Sequence, residues 1–412
     1  MSYIHIENAT VIDGTGNTPL ENTDVLVGDN RILSIGDVTL PDDATDVTHI
    51  DAAGATLLPG LIDTHVHIMF EISALEKRIG VPFSLNFYKA IGYMQNTLNA
   101  GITSVRDAGG ADKGVKQAVE QGYITGPRMQ ISISVLGITG GHTDGWNPSD
   151  ITTQLFPVYP GNPSGICDGV DEVRKKVREV LRAGAEVIKV CSTGGVLSPT
   201  DHPEFTQFSP EELAIMVQEG AYRRGIKVMA HAQGAEGIKN AVRAGIHSIE
   251  HGIYLDDECI DLMLKHDTFL VPTLLAPFAV IEMGELVGIP DYALDKARAV
   301  FEDHRESMAK AYDAGIKIAM GTDAGVMPHG TNLRELALMC DIGMSPMEAL
   351  VATTKTAAEC LEWDDKLGTI ETGKLADLIL VKTDPLANIK MLEETDNITL
   401  VIKDGEIVKN IM

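Results

Sequence analysis

A chain of 412 residues can bury a large core, and at roughly 100–250 residues per domain it has room for one barrel-sized domain and something smaller. Hydrophobic residues make up 44% and charged residues 22%, the mix of a soluble globular protein. The 33 Lys+Arg against 59 Asp+Glu give a formal net charge of −26, which repels phosphate backbones and anionic lipid and so argues against nucleic-acid and membrane partners.

The opening residues, Met1 to Asn8, carry neither a basic segment nor an apolar one of the kind that directs secretion. No run approaches the ~20 apolar residues that a membrane helix needs. The five cysteines, Cys167, Cys191, Cys259, Cys340 and Cys360, are odd in number and form no CxxC pair. Reduced thiols in a cytoplasmic protein are therefore expected.

Residues 3–56 alternate in polarity (Ile4, Ile6; Val25, Val27; Ile32, Ile35), with turn pairs at Asp13-Gly14 and Asp29-Asn30, and read as β-structure. Eight strand candidates then follow, at 58–66, 103–108, 129–136, 187–191, 227–230, 248–250, 269–273 and 317–321. Between them run helical stretches, several closed by a glycine: Gly101, Gly184, Gly225, Gly245 and Gly315. In the stretch from Val170, Val173, Val177 and Val180 share one face, while Arg174, Lys175 and Arg178 point away. Ser209-Pro210-Glu211-Glu212 and Ser345-Pro346-Met347-Glu348 carry capping-box signatures. Residues 368–412 return to alternation, with a hairpin at Asp404-Gly405.

Short apolar runs that alternate with amphipathic helices imply a parallel sheet, and eight units imply an α/β fold, a (β/α)8 TIM barrel over 58–367. An open doubly wound sheet is the alternative. The two ends, 1–57 and 368–412, are expected to join into a small composite β-sandwich domain.

Functional groups of such a barrel sit where its strands end. The first strand ends in Asp63-Thr64-His65-Val66-His67, and period-two alternation puts both imidazoles on one side. Lys189 lies inside an apolar strand, where an ammonium costs several kcal/mol. Either a carboxylate pairs with it, or burial leaves a neutral amine able to form a carbamate. His231, His251 and Asp323 close three further strands. Each alone reads equally as an ordinary polar strand end. Six on one barrel face point to a metal centre, and imidazole and carboxylate suit zinc and its neighbours.

These stretches carry a resemblance. Residues 59–67, Ile188-Lys189-Val190 with Ser192-Thr193-Gly194-Gly195, Ala230-His231-Ala232, Ile249-Glu250-His251-Gly252, Gly321-Thr322-Asp323-Ala324-Gly325 and 373–378 resemble the amidohydrolase superfamily. The likeness is to its binuclear, prolidase-like branch, with imidazolonepropionase-related proteins nearby. It covers essentially the whole chain. It implies two divalent ions, zinc the expected identity: one held by His65, His67 and Asp323, the other by His231 and His251, with carboxylated Lys189 bridging them. It also implies hydrolysis of dipeptides, Xaa-Pro among them, or of N-acyl amino acids, through a metal-bridging hydroxide with Asp323 moving the proton. A homo-oligomer that binds only a small-molecule substrate is expected.

Gly140-Gly141-His142 and Tyr254 sit on loops where relatives contact substrate, so His142 and Tyr254 are assigned substrate binding. His329 and the Asp201-His202-Pro203 loop are weaker candidates, and His5, His49, His247, His266 and His304 lie away from strand ends and receive no role. The competing enzyme reading is a cyclic amide or imidazolone hydrolase, or a heterocycle deaminase; Lys189 argues against it. A barrel kept as a scaffold would have lost ligands, and none of the six is missing. Gly14-x-Gly16 lacks the rest of a dinucleotide fingerprint.

Overall fold

The computed structural model describes residues 2–42, 44–72, 80–147, 149, 152 and 156–412. Five strands open the chain: β1 (Tyr3–Val11), β2 (Leu20–Gly28), β3 (Arg31–Ile35), β4 (Val47–Asp51) and β5 (Thr56–Pro59). β1 and β2 pair antiparallel, β2 turns into β3 through Asp29 and Asn30, and both β4 and β5 run parallel to β1. The alternating Ile4, Ile6, Val25, Val27 and Ile32 are all buried.

The expected strand 58–66 is two strands. Gly60 separates β5 from β6 (Leu61–Val66), and only β6 belongs to the barrel. A side chain at Gly60 would stand 2.3 Å from the Thr103 hydroxyl, so only glycine lets the chain pass between the two sheets. Parallel β7 (Ile102–Asp107) and β8 (Arg128–Ile131) follow β6. The expected strand 129–136 also breaks, at Ile133 with φ +70°, and resumes as β9 (Val135–Leu136). β9 pairs onward through β10 (Ile188–Cys191), β11 (Val228–Ala232), β12 (Ser248–His251) and β13 (Phe269–Val271), all parallel.

The eighth segment makes no regular ladder. It meets both neighbours by single bridges, Leu270 with Ile318 and Val66 with Ala324. Thr64 N–H donates to Met320 O, and Asp323 N–H to His65 O, which brings the segment's end against β6. Just past it, Asp323 takes φ +64°.

Helices separate the strands as the periodicity predicts. The helix Gly169–Ala183 buries Val173, Val177 and Val180 and ends at Gly184 with φ +110°. Both capping boxes form, Ser209 with Glu212 and Ser345 with Glu348. No helix among the described residues is long and apolar enough to cross a membrane.

The last strands, β14 (Leu378–Val381), β15 (Ile398–Lys403) and β16 (Glu406–Asn410), add to β5 and complete one branched sheet of eight strands. It curls around its own core, in which Ile6, Val25 and Leu57 pack with Leu378, Leu400 and Ile402. β5 carries this sheet to Pro59, two residues past the expected boundary at 57.

Arg128, at the start of β8, clamps the barrel to this sheet. Its guanidinium donates to Asp377 at 2.6 and 3.2 Å, to Asp404, and to the Ser104 hydroxyl. The Asp377 side chain is only 2% exposed, so losing its cation strands a buried carboxylate. Arg128→Met is therefore expected to lower stability by about 3 kcal/mol, read as a drop in the urea midpoint. An unchanged midpoint contradicts the clamp.

Candidate metal centre

β6 delivers His65 and, one residue past its end, His67. His65 Nδ1 stands 2.7 Å from Glu250 Oε2, and His67 Nδ1 stands 2.9 Å from the Gly109 carbonyl. Both partners accept, so each ring carries its proton on Nδ1 and turns an Nε2 lone pair outward. The two Nε2 atoms converge on Asp323 Oδ1, at 3.5 and 3.2 Å. Two lone pairs and a carboxylate around one point form a cluster that could hold a metal ion.

Two more imidazoles join them. His231 donates from Nε2 to the Gly194 carbonyl at 2.9 Å, which leaves Nδ1 free. His251 Nδ1 meets the Thr273 hydroxyl at 2.7 Å, which leaves Nε2 free. The His251 ring lies 4.6 Å from that of His231 and 5.2 Å from that of His65. Burial holds His65, His231 and His251 well below the usual histidine range, so all three are neutral.

Among the described residues Lys189 forms no ion pair within 4.0 Å, and its Nζ lies 3.3 Å from His65 Nε2. Burial pushes its pKa down, with Glu250 and Asp323 opposing, so the net direction is toward the neutral amine. For Asp323, burial acts upward and its contacts with His67 and His65 act downward, and the net direction is below the ordinary carboxyl value. All six residues line one cleft of about 800 Å3, walled largely by apolar side chains such as Phe70, Val135, Phe156 and Ile253.

His142 reaches this cleft as well. Its ring stacks on His231 at 4.4 Å, with Nδ1 2.8 Å from the Ser198 hydroxyl. A side chain at Gly195 would stand 2.2 Å from the His142 ring, so glycine there is what admits the histidine. Tyr254 is half-buried and does not line the cleft among the described residues, and neither His202 nor the buried His329 lines it. His329 instead donates to the Phe70 carbonyl.

The supporting groups were not assigned from sequence. Arg106 is 1% exposed and donates to Glu250 Oε1 at 2.9 Å, to the Thr64 carbonyl and to Ser248. Asp63 accepts from Thr322, Asn332 and two backbone amides, though burial pushes its carboxyl up to about 6. His304, given no role above, lines the cleft from the long helix Asp291–Asp313 and donates to the His251 carbonyl at 2.9 Å. Strand-end reasoning misses a residue that arrives from a helix. The adjacency of Glu250 to His251 was a usable signal, whereas Arg106 gave none.

Glu250→Gln keeps the shape but presents one acceptor and one amide where His65 and Arg106 both need an acceptor. It is expected to weaken metal binding or lower kcat/KM by about 10–100-fold. Metal content after dialysis and initial rates check this; wild-type values for both would remove Glu250 from the positioning of His65.

The comparisons agree with this geometry. A description of the amidohydrolase family matches residues 56–408. Ochratoxinase of Aspergillus niger is 35% identical over 422 residues, spanning 97% of this chain and 85% of its own length. A solved Xaa-Pro dipeptidase with methionine bound in its active site matches 99% of this chain and 100% of its own, at 35% identity and a TM-score of 0.89. A prolidase complexed with N-methylphosphonate-L-proline matches 99% and 100%, at 33% identity and a TM-score of 0.91. The chain belongs to the amidohydrolase family, enzymes that act on amide bonds.

Proposed function

We propose that this protein hydrolyses an amide bond whose leaving side bears a free carboxylate, in a dipeptide such as Xaa-Pro or in an N-acyl amino acid. The observation that carries the reading is the buried Lys189 amine, unpaired by any described carboxylate and facing His65 among five further potential ligands. A neutral amine can add carbon dioxide, losing one proton, to become an anionic carbamate that two cations share. The names of two similar structures point the same way, one an Xaa-Pro dipeptidase holding methionine and the other a prolidase holding a proline phosphonate.

In this reading His65, His67 and Asp323 would hold one divalent ion and His231 and His251 the other, with Lys189 as a further ligand. Zinc suits a set of imidazoles and carboxylates. Bound there, the ions supply a water of lowered pKa and a polarised carbonyl. The chain supplies the rest. Asp323 is ionised and accepts the proton of the attacking water, then returns it to the departing amine. His142, held by Ser198 at the lining of the cleft, steadies the carbonyl or the carboxylate of the substrate. The apolar walls favour an apolar side chain on the acyl side.

The test is a screen of dipeptides and N-acyl amino acids with zinc-loaded protein. Activity on these is expected, and turnover confined to cyclic amides or nitrogen heterocycles overturns the proposal. Asp323→Asn should lower kcat by about 10²–10⁴-fold and keep part of the metal; a near-wild-type kcat sinks its assignment. His142→Asn should raise KM for carboxylate-bearing substrates, and an unchanged KM and kcat remove it from substrate binding.

A further inference from the structure

A second group of ligand-type side chains lies on the terminal sheet, and none of it lines the cleft. His5 on β1 and His49 on β4 are direct partners in the parallel ladder, and Glu7 follows His5 by two residues on the same strand. Period-two alternation puts all three side chains on one face. The ring centroids of the two histidines are 5.5 Å apart. One ligand atom from each of His5, Glu7 and His49 lies within 4.8 Å of the other two.

The hydrogen bonding of His5 points to a cation. His5 is only 8% exposed, and its Nε2 stands 3.1 Å from Asp24 Oδ2. The other Asp24 oxygen accepts the Asn8 amide at 3.0 Å, so this carboxylate is held in place and takes the Nε2 proton. That leaves His5 Nδ1 as a lone pair, buried and without a hydrogen-bond partner. What it faces is a carboxylate: Nδ1 of His5 lies 3.6 Å from Glu7 Oε1, and Nδ1 of His49 lies 3.5 Å from Glu7 Oε2. Charge-assisted N–H···O bonds close to about 2.7–2.9 Å. Two ligands of a tetrahedral ion with bonds of about 2.0–2.1 Å stand about 3.3–3.4 Å apart, much nearer to what is seen.

We propose that His5, Glu7 and His49 form a divalent-cation site, best suited to zinc, with Asp24 as the positioning carboxylate of His5. Three protein ligands leave one coordination position for water. The site is structural. β4 lies off the main strand path and, among the described residues, pairs with β1 alone, so an ion shared by His5, Glu7 and His49 ties it down. The proposal is independent of the barrel centre and of any substrate.

The test uses the full-length protein equilibrated with zinc at about micromolar free concentration, set by a competing chelator. Zinc per chain is counted by atomic emission in wild type, His49→Ala and Glu7→Gln, and amide exchange is followed over Val47–Asp51. Wild type should hold one more zinc than either variant, with hydrolysis rates unchanged, and zinc should slow exchange in β4 of wild type alone. Asp24→Asn should weaken the extra site by about 10–100-fold. Equal zinc contents in wild type and both variants, with exchange unaffected by zinc, would overturn the proposal. Counting the difference between variants keeps this outcome separate from any failure of the barrel site to load.

Discussion

Glu250 is the residue on which the rest of the site depends. It is fully buried inside the barrel, and both of its oxygens are committed. One takes Arg106 and the Ser248 hydroxyl, the other takes His65 Nδ1. An ion pair in so low a dielectric is tolerable only when its members are satisfied. Its charge also reaches Lys189. Burial lowers the Lys189 pKa, Glu250 and Asp323 oppose that, and Arg106 adds to it. The same carboxylate that sets the tautomer of His65 therefore also acts on the charge of its neighbour.

Backbone strain gathers at the same rim. Asp323, His251 and Thr273 all take positive φ, at 64°, 75° and 48°, and none is glycine. Such conformations cost about 1–3 kcal/mol each and persist only where surroundings overdetermine them. Here the surroundings are visible. The Asp323 amide is tied to the His65 carbonyl, the His251 carbonyl to His304, and the Thr273 hydroxyl to the His251 ring. The strain turns side chains off the strand direction and toward the cleft.

Most of the architecture was legible because periodicity and punctuation are local. Valines at helical spacing, a glycine closing the helix at Gly184, and two Ser-Pro-x-Glu starts each describe a few consecutive residues, and each formed as read. The strand breaks were less legible. Gly60 and Ile133 interrupt apolar runs for reasons that lie across the chain, against Thr103 for the first and in the geometry of the barrel for the second. The site divides in the same way. All six strand-end residues could be read, because a barrel collects strand ends whatever its loops do. Arg106, His304 and Asn332 could not be read, because their partners are 144, 53 and 269 residues away and no local pattern marks them.

His65-x-His67 and His5-x-Glu7 are the same device, two ligand side chains brought to one face by a strand's period of two. What distinguishes them is the environment each strand supplies. In the barrel the pair is sealed among apolar walls, and a remote glutamate accepts from Nδ1–H of His65. On the terminal sheet a third group comes from a neighbouring strand in register, and Asp24 accepts from Nε2–H of His5. In both, a carboxylate behind the imidazole decides which nitrogen is left bare, and that nitrogen faces a second carboxylate at more than hydrogen-bond length. Strand-end reasoning selects only the first, since it asks where a residue stands along a strand. Asking which ring nitrogen is left without its proton selects both.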